Sequence, residues 1–138
     1  MIAILEIIKA IQEKMRALVG VRTAPDLLPD NIAAWPAIVT YPVKGTYITG
    51  AFGIAEAYHD IVTELHYPLK DLSRAIETIT PFVTSIPETL TDDPWLGDLC
   101  ETFENITYTL TPQRYAETDT VCLRFVIEKV KMFPYGKQ

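Results

Sequence analysis

The run AYHDIVTELHY, residues 57–67, reads as a long strand and carries the densest set of polar side chains in the chain's middle, so it commits the chain to a sheet. In an extended chain successive side chains point to opposite faces. Ala57, His59, Ile61, Thr63, Leu65 and Tyr67 therefore share one face, and Tyr58, Asp60, Val62, Glu64 and His66 share the other. Both histidines of the chain lie in this run, seven positions apart. An odd interval sends them to opposite sides, so they are not expected to hold one metal ion together. The HExxH motif differs, because a spacing of four on a helix puts both imidazoles on one side. Asp60, Glu64 and His66 do share a face. Yet Asp60 and Glu64 stand about 13 Å apart on a strand, too far to share a proton. The expectation is a strand whose polar face meets solvent or another subunit. A small enzyme or ligand-binding domain built on Asp60, Glu64 and His66 is the alternative from a different class.

Around this strand the chain divides into recognisable pieces. Residues 1–20 read as an amphipathic helix, with Ile4, Ile7, Ile8, Ile11, Met15 and Leu18 within a stripe about 100° wide and Gly20 where a C-cap belongs. The segment TAPDLLPDN is a Pro-broken loop. In WPAIVTYPV, Ala37–Tyr41 reads as a strand with prolines at both edges. KGTYITGAFG then reads as a Gly-punctuated connection carrying Tyr47, Ile48 and Phe52, apolar residues expected either to fold back on the core or to meet a partner. After residues 57–67, Pro68 is expected to open a helix with Leu69, Leu72, Ile76 and Ile79 as its buried stripe. Thr80-Pro81 should stop or restart it, with a second helical stretch through Phe82, Val83, Ile86 and Leu90. TDDPWLGDL is a turn. NITYTL and TVCLRFVIEKV are strands, joined by TPQRYAETD as a hairpin loop. The expected architecture is one α+β domain over residues 1–138, of order α-β-β-α-β-β. Its four-stranded, mostly antiparallel sheet would carry helices on one face.

The remaining features narrow the function classes. The chain has 138 residues, enough for one domain with a real core, and a formal net charge of −6. That balance, with no basic run, argues against gripping nucleic acid, which needs clustered Lys and Arg. Cys100 and Cys122 make no CxxC pair and read as small hydrophobes in a reduced compartment. Charged residues interrupt the apolar N-terminus, so no signal peptide is expected, and no run reaches the roughly 20 apolar residues of a membrane span. The Asn105-Ile106-Thr107 sequon carries no weight without a secretion signal. There is no phosphate-binding glycine loop and no GxSxG elbow. The only serines, Ser73 and Ser85, suit helix and cap positions. The acidic group Asp92, Asp93, Asp98, Glu101 and Glu104 lacks EF-hand spacing and reads as a solvated turn. Trp35 and Trp95 neighbour prolines and read as core lids. No catalytic residue, cofactor or metal site is expected, and an enzyme is not.

The order of segments resembles a known family. A short helix leads to WPAIVTYP. A long polar strand follows and runs into YPLKDLSRAIETITPFV. ETLTDDPWLGDL and a final hairpin ending in CLRFVIEKV complete the layout. This layout, over about residues 1–130, is similar to the tail terminator and tail-completion proteins of long-tailed bacteriophages and prophages. It departs from them at Asp98, where relatives often carry a second glycine. The resemblance implies a non-enzymatic structural protein of the virion, assembled in the host cytoplasm. Its hexameric ring caps the tail tube, stops tube polymerisation and offers the surface for head attachment. The implied partners are further copies of the chain, the tail tube protein and a head-completion protein. DNA would pass through without being read, and no membrane is involved. Under this reading Tyr47, Ile48 and Phe52 are the expected oligomer contacts, and Asp60 and Glu64 an acidic face toward the lumen or a neighbour. Another head–tail connector or a tube subunit is the nearest alternative.

Overall fold

A computed structural model describes residues 3–132. Two helices and five strands form an α+β fold: α1 (Ile4–Arg16), β1 (Ala37–Gly50), β2 (Gly53–Pro68), α2 (Leu72–Asp92), β3 (Cys100–Thr102), β4 (Asn105–Tyr115) and β5 (Thr118–Met132). All strand pairings in the sheet are antiparallel, in the order β1-β2-β5. Both β3 and β4 pair with β5, on segments that follow one another along it, so the described sheet has five strands rather than the expected four.

Ile7, Ile8, Ile11 and Met15 of α1 are buried, the face that their 3.6-residue rhythm selects. Gln12 is buried among them, which the helical stripe does not suggest. Its Nε2 donates to the carbonyl oxygens of Pro25 (2.7 Å) and Ile38 (2.9 Å), and its Oε1 accepts from Thr40 Oγ1 at 2.6 Å. Thr40 Oγ1 also lies 3.0 Å from Thr63 Oγ1. This network ties α1 to the start of β1 without leaving the amide unpaired.

α2 differs from its expected form. Pro68 ends β2, and Asp71 caps the helix by accepting from the Arg74 backbone N–H at 3.2 Å. The buried stripe is Ala75, Ile79, Phe82, Ile86 and Leu90, whereas Leu72 is 61% exposed. The helix runs unbroken through Pro81 and Pro87. Each internal proline costs about 3 kcal/mol. Burying Ile79, Phe82, Ile86 and Leu90 at roughly 1.5–3 kcal/mol apiece offsets that, so packing overrides the local breaker.

Residues 44–50, expected as a connection, belong to β1. The β1–β2 hairpin closes at the facing pair Gly50 and Gly53, so only Ala51 and Phe52 turn. Gly45 permits this continuation. A Cβ there would stand 2.7 Å from His59 Nδ1 on the facing strand. The β4–β5 connection is equally tight: Tyr115 faces Thr118, and Ala116 and Glu117 make the turn with φ of 50° and 64°. The expected loop TPQRYAETD is therefore mostly strand.

The helices cover one face of the sheet, where Ile38, Ala57, Ile61, Leu65, Leu123, Phe125 and Ile127 join their buried residues in a single core. Core residues in β5 are odd-numbered up to Ile127 and even-numbered at Val130 and Met132. The switch occurs at Glu128–Lys129, where β5 has one residue more than β2 between matched pairs and Lys129 takes φ 53°.

Candidate functional site

The face of the sheet opposite the helices carries the densest polar cluster among the described residues. Glu64 and His66, two apart on β2, point to the same side. Directly across the ladder on β5 stand Arg124, paired with Glu64, and Cys122, paired with His66. The segment after α1 runs beside β1, bridging Thr23 to Ala37, and reaches over this face, where Pro29 O accepts from Tyr115 Oη at 3.2 Å. Tyr115 stacks on His66 with ring centroids 4.8 Å apart. The result is enclosure: His66 is 0% and Glu64 5% exposed, and Cys122 is buried. The polar strand face expected to meet solvent or another subunit is therefore covered by the chain itself at Glu64 and His66.

The geometry converges on one point. His66 Nε2 lies 3.2 Å from Glu64 Oε1 and 3.9 Å from Cys122 Sγ. Its other nitrogen, Nδ1, lies 2.9 Å from Thr120 Oγ1. The second oxygen of Glu64 is 3.5 Å from Arg124 Nε. Burial alone would raise the Glu64 carboxyl. Hydrogen bonds from His66 and Tyr41, with Coulomb attraction to His66 and Arg124, outweigh it and hold the group below its ordinary value. Burial, with the Glu64 charge adding to it, pushes the Cys122 thiol up, so the sulfur keeps its proton at neutral pH. A shielded, protonated thiol is a poor nucleophile. Glu64 Oε1, His66 Nε2 and Cys122 Sγ all fall within 4.8 Å of one another, a donor set able to take a metal ion.

The sequence-based candidates fall in three places. Glu64 and His66 come together, with Cys122 and Arg124, which residue-by-residue reading left out because they lie more than 50 positions away. The alternation of β5 would have placed Cys122 and Arg124 on one face, but only the register sets them opposite Glu64 and His66. Asp60 stands apart from this cluster. Its Oδ1 accepts from the Lys129 backbone N–H at 2.9 Å, holding the bulge of β5. Asp60 and Glu64 consequently do not form an open acidic strip. His59 lies on the helix-bearing face, edge-on to Tyr47 at 5.5 Å. Tyr47, Ile48 and Phe52 sit at the far end of the β1–β2 hairpin, 50%, 45% and 98% exposed. The two tyrosine-side residues belong to a strand and only Phe52 to the turn. Neither described helix is long and apolar enough to cross a membrane.

No protein-family model matches this chain, and comparison with curated proteins finds no match.

Proposed function

We propose that this chain is a structural subunit of the tail-terminator kind, which closes into a hexameric ring on the end of a phage tail tube.

 The observation that carries this reading is the hairpin tip. Phe52 is 98% exposed at its end, with Tyr47 and Ile48 half-exposed on the adjoining strand. A two-stranded ribbon is marginal in water by itself, and apolar side chains at its end gain burial only against another molecule. A hairpin arm of this kind suits a head-to-tail contact, in which one patch meets a different patch on the next copy and the rotation closes a ring. The segment order shared with tail terminators supplies the kind of assembly, a hexamer. The partners are then the tube protein below and a head-completion protein above, within the virion. A net charge of −6 suits a ring through which DNA slides without being held.

The test is co-sedimentation of the purified chain with phage tail tubes, with its mass in solution measured alongside. Wild type should bind tube ends as a ring. Phe52→Asp should keep the wild-type melting temperature but stay monomeric and leave the tubes bare. Failure of wild type to oligomerise either alone or on tubes from several long-tailed phages would overturn the reading. Unchanged assembly by Phe52→Asp would remove the hairpin tip from it.

A further inference from the structure

Both nitrogens of His66 have partners in place. Nδ1 lies 2.9 Å from Thr120 Oγ1, which in turn lies 3.4 Å from the Gln113 carbonyl oxygen. The opposite nitrogen, Nε2, faces a carboxylate oxygen at 3.2 Å and a sulfur at 3.9 Å. In the tautomer that carries its proton on Nδ1 and donates to Thr120, Nε2 turns a lone pair toward Glu64 and Cys122. Three donor atoms of different kinds, all buried, then converge on one point.

We propose that Glu64, His66 and Cys122 form a binding site for a zinc-type divalent ion, held by one carboxylate oxygen, one imidazole nitrogen and one thiolate. The donor set is the mixed N, O and S kind that zinc takes, with three protein ligands and a fourth position for water. Ligands at about 2.0–2.3 Å from a tetrahedral ion stand about 3.3–3.8 Å from one another. The observed 3.2 and 3.9 Å, with all three atoms inside 4.8 Å, need only small side-chain shifts to reach that. The backbone is fixed in advance, because Glu64 and His66 lie two apart on β2 and Cys122 is the direct ladder partner of His66. Thr120 then supplies the outer contact that orients a metal-bound imidazole. Arg124 engages only Oε2 of Glu64, which leaves Oε1 for the ion, and its partly exposed side chain can swing toward solvent. The groups facing the site are Tyr41 on β1, Glu64 and His66 on β2, Tyr115 on β4, and Cys122 and Arg124 on β5. Binding converts Cys–SH and M²⁺ into a metal thiolate and releases one proton to solvent.

Cobalt reports thiolate ligation directly. Chelator-stripped protein titrated with Co²⁺ should develop a thiolate-to-cobalt charge-transfer band that saturates at one equivalent and is bleached by Zn²⁺. Cys100→Ser should keep the band, Cys122→Ser and His66→Asn should lose it, and Thr120→Val should weaken affinity about tenfold. Should Cys122→Ser fail to fold, proton release by wild type on adding Zn²⁺ takes its place, with about one proton per ion expected. A wild-type protein without the band overturns the site. A band that survives Cys122→Ser, or zinc uptake without proton release, also overturns it. Ring assembly is read by mass and stands or falls separately.

Discussion

Gln12 shows how much one side chain decides at the residue scale. Its amide satisfies two backbone carbonyls and the Thr40 hydroxyl inside the core. Gln12→Leu keeps the volume but takes the side-chain donor from the Pro25 and Ile38 carbonyls and leaves the Thr40 hydroxyl with Thr63 alone, and each buried polar group left unpaired costs about 1–3 kcal/mol. Urea denaturation should show a loss of about 2–4 kcal/mol, with an unchanged m-value. A loss below about 0.5 kcal/mol would mean that the network contributes little. Helical periodicity predicts which side of α1 is buried but is silent about a polar residue inside that stripe. The partners lie at Pro25, Ile38 and Thr40, and only the fold brings them to the helix.

Turn chemistry governs the elements. The β4–β5 turn puts Ala116 and Glu117 at φ of 50° and 64°, a conformation that Asn and Gly adopt more readily. Replacing the pair with Asn-Gly (A116N/E117G) should stabilise the protein by about 1–2 kcal/mol, read as a rise in melting temperature. A fall would show that these side chains make contacts that outweigh their backbone strain. The same two residues explain why this hairpin was hard to read. A turn made by Ala-Glu does not look like one, so the strand ends blur into a nine-residue loop. In α2 the reverse happened: Pro81 looks like a stop, yet Phe82 and Ile86 are buried on the next turn and hold the helix together. Period-two alternation, by contrast, set the faces of β2 correctly, because burying one face fixes the pleat. Cross-strand neighbours stayed hidden. Nothing local in TVCLRFVIEKV says that Cys122 meets His66 rather than a residue two positions away.

Across the whole molecule, the buried titratable groups predict a stability plateau. His59 is lowered from 6.5, chiefly by burial, with Asp60 opposing, and Glu64 is lowered from 4.5. Both bind protons more readily when unfolded, so stability is full above the unfolded values and falls as acid is added, first below about pH 6.5 and again below about pH 4.5. Cys100, pushed to about 12 by burial and by Asp93, and Cys122 act at the other end. Folding holds their protons, so stability declines as pH rises above 9.0, where the unfolded thiols ionise. Melting temperature against pH should therefore be flat between about 6.5 and 9, and His59→Asn should remove the first acid step. A wild-type profile with no change between pH 7 and 5.5 would contradict this assignment.

The extra residue in β5 has a consequence for the length of the chain. Upstream of Lys129 the strand presents odd positions to the helices, and downstream it presents even ones. A copy lacking residue 129 would match β2 one for one at this point, and plain alternation from Ile127 would still turn Val130 and Met132 toward the helices. What it would lose is the local bend and the backbone N–H that Asp60 holds. A codon lost elsewhere along the strand would instead reverse the faces of everything beyond it, so this is the position where a deletion should do least harm.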